Sequence, residues 1–195
     1  KELLTEALSR AAGRRVRLQC PERGARRKVT AMAVKNAEEA LARHLANASS
    51  QKRLLGELAV ALGLPQPPER IEIYDNSHIQ GKHAVGGMVV AGPEGFQKAA
   101  YRRFNIKDEG KFATQTGDDF AMMRQVMHRR FSRALKEDPD RLSGSWPDLL
   151  LIDGGLGQLS SVHEVLDALA INDMQVVAIS KGLDRHAGRE QFHIR

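Results

Sequence analysis

Leu149-Leu150-Leu151-Ile152-Asp153-Gly154-Gly155 is the stretch whose reading decides the fold. Four apolar residues in a row leave no face for water, so this is a strand covered on both sides. A carboxylate and two glycines then end it. Sheets built of such strands gather ligands at the carboxyl ends of their parallel members, and Asp153 falls at such an end.

Working outward, Leu159, Val162, Val165, Leu166 and Leu169 stripe a helix over about 158–170. Val176 to Ile179 is a second buried strand. Upstream, Phe120, Met123, Met127, Phe131 and Leu135 stripe a helix from Asp118 to about Lys136, where Asp118 or Asp119 can cap the first amides. Residues 137–147 read as a loop. Three strands come earlier, over 71–77, 85–91 and 96–106, with Gly92-Pro93-Glu94-Gly95 as a turn. Their short connections favour antiparallel pairing. The order β-β-β-α-β-α-β gives an α/β fold, a mixed sheet flanked by helices.

The first third has another rhythm. Residues 2–11 are helical by spacing, and Val16, Leu18 and Cys20 alternate as a short strand. A cation-rich turn follows at 21–28. A helix then covers about 29–62, with a break expected near Asn47–Ser50 and Gly63 as its C-cap. Leu64-Pro65-Gln66-Pro67-Pro68 marks the boundary. Residues 1–66 are therefore read as a basic, mostly helical extension and 67–195 as a second domain. The extension holds 13 Lys+Arg against 6 Asp+Glu, while the remainder is nearly balanced at 17 against 18. Such a surplus suits a polyanion such as nucleic acid, and equally a solvated surface.

Cys20 is the only cysteine, which excludes a disulfide framework or a Cys-based zinc site within the chain and fits a reducing cytoplasm. The sequence has no membrane-length apolar run. Lys1 opens inside a helical pattern and Gln191–Arg195 stops inside a strand pattern, so the chain reads as an internal piece of a longer protein.

Ile71-Glu72-Ile73-Tyr74-Asp75 sets Asp75 on the face of its two isoleucines. If its strand neighbours that of Asp153, both carboxylates face one small volume. They then repel unless a cation lies between them or one is protonated. Oxygen-only donors favour Mg²⁺ or Mn²⁺. Each Asp can equally cap a turn, and Asp153-Gly154-Gly155 is a good turn sequence. Gly154-Gly155-Leu156-Gly157-Gln158 suits close approach to a phosphate or a tight strand-to-helix turn. Asp118-Asp119 suits a site or a helix cap. Tyr101-Arg102-Arg103-Phe104 suits nucleic acid or an ordinary strand edge. His78, near Asp75, is readable as a hydrogen-bonded loop histidine.

Several motifs together resemble the UvrC family. Ile71-Glu72-Ile73-Tyr74-Asp75-Asn76-Ser77-His78-Ile79-Gln80-Gly81 is similar to its first endonuclease signature. Tyr101–Ile106, Asp118–Met123, His128-Arg129-Arg130, Pro147–Gln158 and Ser180-Lys181-Gly182 follow in the family's order, and Pro21–Gly24 with Asn36-Ala37 fits the stretch before it. The resemblance implies an RNase H-like endonuclease domain, truncated at its C-terminal end. It implies a metal-dependent cut on the 5′ side of a DNA lesion, after UvrA and UvrB have located the damage. By motif, Asp75 and Asp153 are the metal-binding aspartates and Asp119 a further acidic position. Arg102, Arg103 and Lys181 are candidates for the DNA backbone. The family's catalytic histidine belongs to a segment past Arg195, so its role passes to none of His78, His186 or His193. The UvrB-binding segment, the GIY-YIG nuclease and the helix-hairpin-helix domain lie outside the chain. Where the family often has Lys, this chain has Leu156. The rival expectation is a non-catalytic nucleic-acid-binding module.

Overall fold

The computed structural model describes residues 2–19, 21, 23–79, 82–106, 118–181 and 190–194, with the side chains of residues 44, 78, 79, 82 and 83 left aside. Cys20, Glu22, Gln80, Gly81, Gly182 and His186 lie outside the described residues, as does the side chain of His78. The chain divides into two compact units, 1–47 and 48–195.

The first unit contains α1 (Glu2–Ala12) and the first part of α2 (Gly24–Leu62). The strand expected at Val16 and Leu18 does not form. Alternation needs a ladder partner to become a strand, and here the Val16 amide donates to the Ser9 hydroxyl instead, at 2.9 Å. The helix break expected near Asn47–Ser50 is absent, and α2 runs through it. Alanine and leucine on both sides carry enough helix propensity to bridge two serines and an asparagine.

The second unit is built on a seven-stranded sheet, ordered β3-β2-β1-β5-β6-β7 with β4 also on β2. Its strands are β1 (Ile71–Ile79), β2 (Lys82–Gly92), β3 (Gly95–Phe96), β4 (Arg102–Asn105), β5 (Leu149–Asp153), β6 (Gln175–Ser180) and β7 (Gln191–Ile194). β1, β5 and β6 are parallel, while β2 and β7 run antiparallel to their neighbours. α3 (Asp119–Glu137) and α4 (Leu156–Ala168) supply the crossovers.

The strand expected over 96–106 is split. β3 and β4 both pair with β2, at Ala91–Gly92 and at Val85–Met88. The five residues between them face only two of β2, and the excess is taken up by a 3-10 turn at Lys98–Ala100. The Gly92–Gly95 turn is as read, with Gly95 at φ +87°.

Both sheet faces are covered. On one, Tyr74, Met88, Val90, Leu150, Ile152, Val176 and Ala178 meet Met123, Met127 and Phe131 of α3 and Val162 and Leu166 of α4. On the other, Ile71, Leu149 and Val177 meet Leu55, Leu58 and Leu62 of α2. So the last turns of α2 form part of the packed unit, and Gly63 (φ +65°) ends them as expected. Asp148 pins the start of the sheet: its Oδ2 accepts the amides of Glu69 and Arg70 at 2.8 and 2.9 Å. β1 thus begins in register with β5.

Candidate active site

β1 and β5 pair from Ile71–Leu149 to Tyr74–Ile152. The next step sets Asp75 beside Asp153. Side chains alternate along a strand and laterally paired residues share a face. Asp75 and Asp153 therefore stand on the α2 face, with Ile73 and Leu151. Along the same row, Gly87 pairs with Asp75 and Arg103 with Gly87. On the other side Ile179 pairs with Asp153 and Phe192 with Ile179.

Asp75 and Asp153 are both exposed. Partial desolvation among the strand ends, and then the charge of Asp153, push the Asp75 carboxyl above its usual range. The Asn76 backbone amide and the Lys181 ammonium act in the opposite direction. Lys181 follows Ile179 by two positions and is exposed, so the three charged groups share one neighbourhood. Among the described residues, these two carboxylates and one cation sum to a negative charge.

Gly154 makes the exit from β5 possible. Its φ of +150° is open to glycine, and a Cβ there would lie 2.7 Å from the Gln158 side chain. Gln158 Oε1 in turn accepts the Gly155 amide at 3.1 Å. A Cβ on Gly157 would run into the Phe120 ring. Of the two readings of this glycine run, the tight turn accounts for Gly154 and Gly157. Gly155 has open space around it.

Asp118 caps α3, its Oδ1 accepting the Ala121 amide at 2.9 Å. Asp119 is the first residue of that helix and partly exposed. The Phe120–Gly157 contact brings this helix start towards the start of α4. Among the described residues no three His, Cys, Asp or Glu side chains gather as a ligand set. α3 covers the face opposite to that of Asp75 and Asp153. Arg102 and Arg103 are both exposed but alternate: Arg103 lies in the Asp75 row, and Arg102 pairs with Met88 on the α3 face. His193 sits on β7, its Nε2 2.8 Å from Ser180 Oγ.

Sequence reasoning missed a buried ionic cluster behind this site. Glu72 is fully buried on the α3 face. Its Oε1 accepts from Arg70 Nη2 at 2.8 Å and from Arg130 Nη2 at 2.7 Å. The Tyr74 hydroxyl donates to Oε2 at 2.6 Å. Burial, then the Glu72 charge, raises the Tyr74 phenol well above its normal value. Arg130 Nη2 also donates to the Ser145 carbonyl at 2.6 Å. The signal was present: Glu72 shares its parity with Tyr74 in a strand whose other face is isoleucine.

The mixed sheet with helical crossovers is that of an RNase H-like domain. Residues 59–194 match the UvrC RNAse H endonuclease domain, and residues 1–44 match a model described as the UvrC Ribonuclease H-like domain. The chain belongs to the UvrC family. It is 59% identical over 193 residues to UvrABC system protein C of Rhodospirillum rubrum, covering 99% of this chain and 30% of that protein. It is 55% identical to UvrABC system protein C of Ruegeria pomeroyi, covering 98% and 30%. The chain thus spans about 30% of the length of the curated relatives it matches. A solved structure of Ciona intestinalis Endonuclease V (D234N) with DNA aligns at a TM-score of 0.41 and 11% identity, over 72% of this chain and 58% of that one. Among the described residues no helix is long and apolar enough to cross a membrane.

Proposed function

We propose that this chain is the part of a nucleotide excision repair endonuclease that makes the 5′ incision beside a lesion, by hydrolysing one phosphodiester of damaged double-stranded DNA. The observation that carries the reading is the adjacency of Asp75, in the middle of β1, and Asp153, at the end of its parallel neighbour β5. On this reading residues 67–195 are the endonuclease domain and residues 1–66 its basic extension.

Asp75 and Asp153 would hold Mg²⁺ or Mn²⁺. The donors fit such an ion: both are oxygen ligands, and burial and then the charge of Asp153 raise the proton affinity of Asp75, and a dication relieves the repulsion between the two carboxylates. When bound, a divalent ion supplies a Lewis acid at the phosphate and a more acidic water. The chain's own residues do the remainder. The rigid strands fix the two carboxylates. Lys181 partly offsets their charge and attracts the phosphate. Arg103, in the same row, holds the DNA backbone by charge-assisted bonds. Asp119 adds an acidic group at the start of α3. By the family resemblance, a histidine beyond Arg195 moves the proton. UvrB would bind through a segment outside this chain, with UvrA acting earlier, in the cytoplasm.

The test is Asp75→Ala or Asp153→Ala in the whole protein with UvrA, UvrB and a lesion duplex. The 5′ cut should disappear while the 3′ cut remains. Near-normal 5′ cutting would overturn the assignment.

A second reading, a non-catalytic nucleic-acid-binding module, is favoured by the surplus of 13 Lys+Arg over 6 Asp+Glu in residues 1–66. It predicts no Mn²⁺ affinity that depends on both Asp75 and Asp153, which calorimetry of the two variants measures.

A further inference from the structure

We propose that the arginine-lined cavity between β4 and α3, on the sheet face opposite Asp75, binds a second backbone phosphate of the nucleic acid. The inference rests on the nuclease reading above and adds a site to it.

The cavity measures about 200 Å³ and is lined by Arg70, Arg102, Arg129, Arg130 and Arg133, with Glu137 at its side. Five guanidiniums thus face the carboxylates of Glu137 and of Glu72 below, an excess of three positive charges. The arginines are not equivalent. Arg70 and Arg130 are spent on Glu72. Arg133 Nε donates to Glu137 at 2.9 Å. Arg102 bonds described residues through Nη1 alone, to the carbonyls of Ala99 and Tyr101 at 3.1 and 2.8 Å. Arg129 does so too, to the Asn105 carbonyl at 2.7 Å, and its guanidinium lies 5.6 Å from the centre of the Phe104 ring.

Backbone carbonyls and an aromatic face therefore brace Arg102 and Arg129 through one nitrogen each. Their described bonds leave Nε and Nη2, the edge that meets a phosphate with two parallel bonds. Bracing also lowers the side-chain entropy lost on binding. Position argues for nucleic acid. Among the described residues no strand pairs with the far edge of β4. Arg102 and Arg103 are consecutive on that strand and point to opposite faces. Arg103 lies two strand spacings from Asp75 in one row, about 10 Å. A DNA strand that crosses the Asp75 row and reaches Arg103 has arrived at the sheet edge, and Arg102 waits around it.

The test is fluorescence anisotropy of a labelled duplex on this full chain across a salt series, with circular dichroism as the check on folding. Arg102→Gln and Arg129→Gln should each weaken binding about tenfold at low salt and reduce the salt slope by about 1. Arg102→Lys should keep the slope but recover the affinity only in part, because it keeps charge and loses the fork. Inorganic pyrophosphate should compete for the wild type more strongly than for Arg102→Gln. If Arg103→Gln weakens binding while Arg102→Gln and Arg129→Gln do not, the cavity is not a phosphate site and the nuclease reading stands. If the Gln variants keep DNA affinity and lose that for a poly-glutamate peptide, the cavity serves a protein and the inference is overturned. If the wild type binds no DNA, the nuclease reading falls and this inference with it.

Discussion

Asp75 stands beside Asp153, one step past the Tyr74–Ile152 pair that aligns β1 with β5. Neither carboxylate chose its neighbour locally. The adjacency is set by strand register, which Asp148 anchors at the opposite end of the same two strands.

Partial burial and that neighbour together give Asp75 a pH signature in the absence of divalent ions. Asp75 binds its proton more tightly folded than unfolded. A raised acid contributes stability below its unfolded value and loses it as pH rises through the folded value. Asp75→Asn should therefore be more stable than the wild type at neutral pH, and the gap should close as pH falls below the ordinary carboxylate range. Added Mn²⁺ should raise the wild-type melting temperature and leave the variant's unchanged. Thermal melts from pH 3 to 8, with and without the ion, measure both effects.

Glu72→Ala strands two arginines in the interior, with the Arg130 and Arg70 side chains only 13% and 17% exposed. Removing one partner of such a group costs about 3–5 kcal/mol. Urea unfolding should show this loss. Replacing Glu72 and Arg130 together by Met should cost less than the sum of the single changes, the mark of coupled neighbours.

Gly86 faces the core of α3. A Cβ there would run into Val126 Cγ2 and lie 3.1 Å from Asn76 Oδ1. Gly86→Ala should destabilise by about 1–3 kcal/mol through overpacking. Gly87→Ala, one residue on, meets only the Asp75 carbonyl at an ordinary 3.6 Å, and should cost less in the same denaturation assay.

Leu156 is 64% exposed at the first position of α4. Leu156→Lys places a cation at the start of this helix. A cation at a helix start costs about 0.3–1 kcal/mol. Duplex affinity should rise at low salt, with the salt slope steeper by about 1. Anisotropy titrations check it.

The parts of the fold that were legible were those with one strong reason behind them. β5 and β6 show as unbroken apolar runs, α3 and α4 as stripes, and Asp75 and Asp153 as charges that interrupt or end apolar strands. Val16–Leu18 looked like a strand because alternation is local, while the ladder that makes a strand is not. The split between β3 and β4 was invisible because it depends on both pairing with β2. Phe120, placed in the α3 stripe by spacing, is instead 43% exposed and packs on Gly157. Glu72 was passed over because its partner Arg130 is 58 residues away. Adjacent Arg102 and Arg103 read as one patch, and only the pleat divides them between two faces.

The Glu72 cluster also bears on how genetics would describe this gene. On the proposed function, a survey of loss-of-function alleles would return changes at Glu72, Arg70 and Arg130 beside those at Asp75 and Asp153. By phenotype alone the two groups look alike, and the glutamate would be counted as one more acid of the reaction. Temperature separates them. Alleles in the ionic cluster should be rescued by cooler growth or extra protein, whereas alleles at Asp75 and Asp153 should fail under every condition.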